Sequence, residues 1–428
     1  MPILNLTISC ISLADDTVLL SNHLYNLENL LFLTKKYCSK YDVVLVPEKT
    51  KLVSFHKKDS DDAIYERATS NISLHSCELP FSSKAEHLGI IRTEDLSNME
   101  YVLDRLSAHR KHLFSVLPAG MALHHSGNPA AAIRVERMYC LPVLLSGLAS
   151  VPLLKSEIRI ISNYYKKVLA RLMRIYDRTP DPAVYFLAGS LPAEGYLHLH
   201  QLSIFGMVCR LENNVLKDLA TAILSSALPP MKSIFQNIHQ LCVMYNLPDA
   251  LSMLKRPPSK DKFKTICKLK VYEYWHKKLS SEASSLPSLR FLDPRYLSLS
   301  SPHPLWTSLN SNPYESKSAR IQALFLTGRY RTEKLSRFWS SNLKGICLQH
   351  TCSSLEIPDD CTHILLHCRA LTDTRRRLQQ LSYRILQDMP LLGPILETYL
   401  YNDNDDLNMQ FLLDCSVLPM VITAKQLF

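Results

Sequence analysis

Residues 8–20 read ISCISLADDTVLL, in which two apolar runs flank the adjacent acids Asp15 and Asp16. Short apolar runs bounded by turn residues are typical of β-strands, so this stretch predicts a hairpin with both carboxylates at its tip. Two like charges beside apolar strands are costly unless a cation offsets them, and Mg²⁺ binds through one or two carboxylates. The alternative is an ordinary solvated turn, because aspartate is common in turns.

The residues that follow the hairpin predict a small α/β piece over residues 1–92. Residues 24–41 carry apolar side chains at a helical period. Residues 42–46 and 51–55 are apolar runs on either side of Pro47, and we expect both to be strands.

The rest of the chain is predicted to be mainly helical. Residues 93–255 contain several amphipathic helical patterns. Residues 256–315 hold many Ser and Pro residues around one basic helix, which indicates a loosely packed basic connector, and residues 316–428 form a last block. The predicted fold class is therefore mainly α with a small N-terminal α/β piece.

Composition excludes several classes of protein. The 428 residues are 46% hydrophobic and 21% charged, as in globular domains, so wholesale disorder is not expected. Twelve cysteines are too sparse for a disulfide scaffold, and no secretory signal is apparent, so we expect an intracellular protein of the cytoplasm and/or nucleus. The longest apolar stretch, residues 138–154, contains two prolines and is shorter than the ~20 residues of a membrane span, so we expect no membrane partner.

A second candidate metal site lies near the end of the chain, with the spacing C-x4-C-x10-H-x4-C. Its residues are Cys347, Cys352, His363 and Cys368. Thiolates and imidazole are the ligands that tetrahedral Zn²⁺ prefers, and a closed Cys3His site is structural. Two alternatives stay open. Other residues can replace members of this set, namely Cys361, His350 or His367, or the cysteines are simply buried as small apolar side chains.

Three basic patches are candidates for contact with nucleic acid, and the net charge of +10 is weakly in favour of a polyanionic partner. The residues are Lys166, Lys167, Arg171 and Arg174 in the first patch, Lys260, Lys262, Lys264, Lys268 and Lys270 in the second, and Arg375, Arg376 and Arg377 in the third. Tyr272, Tyr274 and Trp275 are interleaved with the second patch, and aromatic rings of this kind can stack on bases. The alternative for each patch is a solvated helix face.

The motifs together resemble the reverse transcriptases of LINE-type (non-LTR) retrotransposons. Residues 13–16, LADD, resemble the aromatic-A-D-D hairpin of these enzymes. Residues 46–55, VPEKTKLVSF, resemble the N-P-x-K-T-K-x-x-x-F block that follows it, and residues 85–90, AEHLGI, resemble the primer grip. Further similarities lie at residues 144–147 (LLSG), 179–180 (TP), 189–192 (GSLP) and 320–331.

This resemblance implies an RNA-directed DNA polymerase, a nucleotidyltransferase, with RNA and DNA as partners. Asp15 and Asp16 would hold catalytic Mg²⁺, and Lys49 would donate a proton to pyrophosphate, although Lys49 is equally explained as an exposed turn residue. It also implies a truncated polymerase palm over residues 1–92, a helical thumb over 93–255 and a C-terminal zinc-knuckle-like domain over 316–428 that holds Zn²⁺.

Three interpretations of function follow from these patterns. In the family, the fingers and the palm strand with a further metal-binding Asp precede the acidic hairpin, and only fourteen residues precede Asp15 here. We therefore expect a polymerase fragment that is inactive alone. The second interpretation is a non-enzymatic RNA- or DNA-binding remnant that uses the basic helices and the zinc knuckle. The third is a helical protein without a nucleic-acid role, and no oligomeric state is predicted in any of these cases.

Overall fold

A computed structural model describes most of the chain, namely residues 9–55, 72–74, 77–116, 118, 127–212, 214–225, 233–309, 313–337, 344–349, 352, 355–377, 380 and 404–413. The fold is mainly helical with few, short strands, which confirms the predicted class. The chain divides into two compact units. The first comprises Met1–Ala108, Leu144–Arg159 and Leu197–Cys267, and the second comprises His109–Val143, Ile160–Tyr196 and Lys268–Phe428. The predicted four-part division stays a prediction.

The N-terminal α/β piece belongs to the first unit, and its described residues form three separate two-stranded antiparallel sheets. The strands are β1 Cys10–Leu13, β2 Asp16–Leu19, β3 Ser73–Leu74, β4 Cys77–Glu78, β5 Lys84–His87 and β6 Ile90–Thr93. Helix α1, Leu24–Lys40, follows the first hairpin. The predicted hairpin and the predicted helix are thereby confirmed. A small core of Leu31, Ile72, Leu74 and Leu79 holds this piece together.

The predicted strands over residues 42–46 and 51–55 are wrong. Asp42 has a left-handed φ of 55°, and the amide of Val43 donates back to the carbonyl of Cys38, so the chain turns as it leaves α1. Pro47–Lys49 is a 3-10 turn, and Leu52 forms only an isolated bridge with Phe81. Apolar β-branched residues form a strand only where a neighbouring strand pairs with them.

Helices follow α1 throughout the described part of the chain. They are α2 Met99–Val116, α3 Pro129–Val135, α4 Leu141–Leu145, α5 Lys155–Leu172, α6 Asp181–Ala188, α7 Ala193–Cys209, α8 Val215–Ser225, α9 Ile234–Met244, α10 Ala250–Lys255, α11 Lys260–Ser285, α12 Pro304–Thr307, α13 Pro313–Leu326, α14 Glu333–Ser336 and α15 Asp405–Leu413. Two π turns interrupt this pattern, at Glu136–Cys140 and at His363–His367. Within the described ranges, no helix is both long enough and apolar enough to cross a membrane.

The expectation of loose packing over residues 256–315 is wrong. Helix α11 buries one side chain every fourth residue along a single stripe. The stripe consists of Phe263, Cys267, Val271, Trp275, Leu279 and Ala283. Farther along, Trp306 in α12 is fully buried. The Ser- and Pro-rich composition therefore reflects turns between well-packed residues and not an unpacked segment.

Candidate metal centre

Two backbone contacts hold the first half of the Cys/His segment. Ile346 forms an antiparallel bridge with Pro358, and the amide of Cys347 donates to the carbonyl of Ile357 at 2.9 Å. The amide of Cys352 donates to the carbonyl of Gln349 at 2.8 Å, which closes a turn. These bonds direct two cysteines, five residues apart, into one buried spot.

The second half of the segment is built by the π turn His363–His367. The amide of Cys368 donates to the carbonyl of His363 at 2.6 Å, which is the i to i+5 bond of a π turn. An α-helical turn places i+4 above i, whereas this wider turn brings i+5 back over i. The H-x4-C spacing therefore puts the imidazole of His363 and the thiol of Cys368 on the same side.

Asp360 fixes the start of that turn. Its Oδ1 accepts a hydrogen bond from the amide of His363 at 2.9 Å, and its Oδ2 pairs with Nζ of Lys334 at 3.0 Å. Burial opposes the charged form of this carboxyl, but these two partners outweigh it, so the pKa of Asp360 lies below its ordinary value. The carboxylate of Asp360 thus caps the π turn that carries His363.

The four predicted zinc ligands converge. The ligand atoms of Cys347, Cys352, His363 and Cys368 all lie within 4.8 Å of one another, and all four residues are buried. The sulfurs of Cys347 and Cys368 are 4.0 Å apart. Tetrahedral coordination with Zn–S bonds of ~2.3 Å separates two sulfurs by about 3.8 Å, so the observed spacing fits such an ion. This cluster can hold a metal such as zinc.

His363 supplies an independent indication of a ligand. The residue is 4% exposed, and neither Nδ1 nor Nε2 has a hydrogen-bond partner among the described residues. A buried imidazole without partners carries a desolvation penalty, which a metal bond to one nitrogen would reduce. The orphaned ring therefore points to a ligand at the centre of the cluster.

Burial also shapes the chemistry of the thiols. It raises the pKa of Cys347 to about 11, with the neighbouring thiol of Cys368 acting in the same direction. A zinc ion reverses this preference, because a coordinated thiol loses its proton to the solvent. Metal uptake at this cluster should therefore release protons.

Two of the alternative ligands, Cys361 and His367, do not join the cluster. Cys361 lies outside the converging group, and burial raises the pKa of its thiol to about 11. His367 points to α15, where its Nε2 lies 2.7 Å from Oδ2 of Asp405. His350 lies outside the described residues.

The acidic pair at the other predicted metal site is exposed. Ala14 and Asp15 form the hairpin turn, with Ala14 at a left-handed φ of 53°, and Leu13 pairs with Asp16 across it. Within the described ranges, no third carboxylate, imidazole or thiol joins Asp15 and Asp16 in a ligand cluster. Mg²⁺ therefore has no support at this tip, and Lys49 is an exposed residue at the end of a 3-10 turn.

The first basic patch is partly neutralised. Lys166 in α5 forms an ion pair with Asp181, and Nη2 of Arg171 lies 3.2 Å from Asp177. Lys167 is exposed. Arg174 follows the helix with a left-handed φ of 57°, and partial burial, together with the charge of Arg320, lowers the pKa of its guanidinium. This patch therefore offers less free charge than its sequence suggests.

The second basic patch remains open to solvent on α11. Lys260, Lys262, Lys264 and Lys268 are exposed, and Lys270 pairs with Glu273 at 3.0 Å. The interpretation of Trp275 as a base-stacking ring is wrong, because its side chain belongs to the buried stripe. The exposed face of α11 is therefore cationic without that ring.

The three consecutive arginines of the third patch have different environments. Nη2 of Arg375 donates to the carbonyl of Cys368 at 2.5 Å. Nη1 of Arg376 pairs with Asp373 at 3.0 Å, and Arg377 is exposed. One arginine thus faces the metal cluster while two face solvent.

The structure also contains a buried polar network that the sequence patterns did not predict. Glu136, in the π turn Glu136–Cys140, lies 3.4 Å from Nε2 of His109 and accepts from the hydroxyl of Tyr165 at 3.3 Å. Tyr165 also bonds Ser190 at 3.1 Å. His109 and Glu136 are fully buried. The signal in the sequence was a glutamate at a helical core position, spaced with the apolar residues of α3.

No protein-family model, curated protein or solved structure matches the chain.

Proposed function

We propose that this chain is a nucleic-acid-binding protein with a structural zinc site, a non-enzymatic relative of LINE-type reverse transcriptases. The buried Cys3His cluster with its orphaned His363 carries the proposal. Four protein ligands complete a tetrahedral shell, so no position is left for a substrate or a reacting water. Such a centre stabilises a fold and does not perform hydrolysis or transfer.

The exposed lysines of α11 support nucleic acid as the partner. Lys260, Lys264 and Lys268 are exposed at four-residue spacing on one continuous helix, so they share a face. Arg376 and Arg377 add exposed charge after the metal turn. Lysine and arginine bind phosphates largely by releasing condensed counterions, which makes the affinity depend steeply on salt. The resemblance to reverse transcriptases agrees with this class of partner.

The test combines metal and nucleic-acid binding on the full chain. We expect one Zn²⁺ per chain, a tetrahedral visible spectrum when Co²⁺ replaces it, and salt-dependent binding to a labelled RNA hairpin and a DNA duplex in fluorescence anisotropy. The triple variant K260Q/K264Q/K268Q should lower the slope of log affinity against log salt by about 2–3.

The matched control is K36Q/K40Q/K51Q, which removes three exposed lysines from the N-terminal piece. It should leave the slope nearly unchanged. Equal losses in both variants would reduce the effect to net charge, and absence of both zinc and salt-dependent binding would favour the helical protein without a nucleic-acid role.

The second candidate function is RNA-templated DNA synthesis. It is favoured by one observation, the acidic pair at the tip of a β-hairpin, as the resemblance implies. In this candidate Asp15 and Asp16 hold Mg²⁺ and Lys49 protonates pyrophosphate. Primer extension on an RNA template with Mg²⁺ tests it. We expect no extension by this chain, and extension that D15N/D16N abolishes would make the second candidate the better one.

A further inference from the structure

Arg375 lies against the metal cluster although it belongs to a run of three arginines. Its Nη2 donates to the backbone carbonyl of Cys368. Its Nη1 is buried and has no hydrogen-bond partner in the part of the chain that the structure describes. The thiols of Cys368 and Cys352 are close enough to act on the charge of the guanidinium. The side chain is therefore both held at the cluster and left with a spare donor.

The charge of a loaded cluster explains why an arginine belongs there. Three thiolates and one neutral imidazole around a divalent ion carry a net charge of −1 in a buried place. A buried charge is costly unless a partner of opposite sign offsets it. A guanidinium supplies that charge and keeps its proton even when partly buried.

We infer that Arg375 is a positioning residue of the zinc site, which holds Cys368 through its carbonyl and offsets the negative charge of the loaded Cys3His centre. The inference rests on the proposed zinc binding. It also separates the three arginines by role. Arg375 serves the metal, whereas Arg376 pairs with Asp373 at the surface and Arg377 is exposed.

Three variants of the full chain test this role, namely R375Q, R375K and R376Q. R376Q is the matched control, because Arg376 pairs with Asp373 at the surface. Zn²⁺ affinity is measured by competition with a chromophoric chelator, and the rate of Zn²⁺ release is measured after addition of excess chelator. Loss of a residue that supports metal ligands typically weakens metal affinity 10–100-fold.

We expect R375Q to weaken Zn²⁺ binding about 10–100-fold and to speed release, while R376Q binds Zn²⁺ like the wild type. R375K should fall between them, because it keeps the charge and loses the forked donor. Far-UV circular dichroism without metal checks that each variant keeps its helices.

Three outcomes would count against the inference, and together they distinguish its failure from failure of the proposed zinc site. A wild-type Co²⁺ complex with a tetrahedral spectrum, together with R375Q affinity and release equal to wild type, would reject Arg375 alone. A wild-type chain without any tetrahedral Co²⁺ spectrum would reject the zinc site and the role of Arg375 together. A loss in R375K equal to that in R375Q would reject the charge role.

Discussion

The acidic hairpin and the Cys/His cluster are both candidate metal sites by residue type, yet their surroundings are opposite. Asp15 and Asp16 are exposed on a two-stranded hairpin whose apolar residues Ile11 and Leu13 are themselves 48% and 59% exposed. The four residues of the cluster are all buried, with their ligand atoms in one small volume. Ligand identity alone does not make a site, because water solvates an exposed carboxylate well.

The difference arises from how each site is built. The acids are neighbours in sequence on one turn, so no other element needs to approach them. The cluster joins a bridged segment at Ile346 and Cys347 to a π turn 16 residues later, at His363. Convergence of these residues buries their side chains and leaves the ring nitrogens of His363 without a hydrogen-bond partner among the described residues.

The strongest test of this difference between the two sites is to remove one predicted ligand of the cluster. We expect C368S to lower Zn²⁺ affinity by more than ~100-fold, since changes around ligands alone cost 10–100-fold. Amide hydrogen exchange over residues 344–377 should speed up with it. C361S is the control, because Cys361 is near but outside the cluster. Equal loss in C361S would mean that the ligand set is different.

Burial should also determine how strongly the replacement of an acidic residue outside the metal site destabilises the fold. We expect E136A to lower the free energy of unfolding by about 1–3 kcal/mol, because it removes a buried acceptor that His109 and Tyr165 share. Urea denaturation measures the effect. E48A, at an exposed glutamate, should change it by less than ~0.5 kcal/mol. Similar losses in the two variants would contradict the role of burial.

The effect of burial on stability can also be tested through its pH dependence, at the buried His303. Its ring is buried, and desolvation lowers the pKa to about 4, against a slight opposing effect of Asp293. An unfolded histidine titrates near pH ~6.5, so the unfolded chain binds the proton first as the pH falls. Stability from this residue is therefore present above about pH 6.5 and lost towards pH 4, on the order of 3 kcal/mol in total.

Unfolding at pH 7.5 and pH 5 checks this dependence in the wild type and in H303N. Asparagine keeps an acceptor for the amide of Leu305, which His303 caps at 3.2 Å. The variant should lose less stability on acidification than the wild type. An unchanged pH dependence would assign the acid sensitivity to other groups.

The smallest effect is expected at the acidic hairpin. D15N/D16N should change the free energy of unfolding by less than ~0.5 kcal/mol and leave Zn²⁺ binding unchanged, because both carboxylates are exposed. Thermal unfolding with and without Mg²⁺ provides the measurement. A rise in melting temperature with Mg²⁺ that the variant abolishes would show a cation site at the tip and narrow the contrast between the two regions.

Local patterns in the sequence were sufficient for several features. The period of apolar residues predicted α1 and the mainly helical class, and the paired apolar runs predicted the hairpin β1–β2. The spacing of Cys347, Cys352, His363 and Cys368 predicted the members of the cluster. These features depend on neighbours along the chain, and a periodic pattern records such neighbours directly.

Tertiary structure alone decided the rest. It excluded Cys361 and His367 from the cluster and turned Arg375 towards it. It also buried Trp275 on α11 and left residues 42–46 without a partner strand among the described residues. Each of these outcomes depends on contacts between residues far apart in sequence. Burial is a property of those contacts, so the residue types and their spacing could name the candidates for a metal site but could not say which of them water would reach.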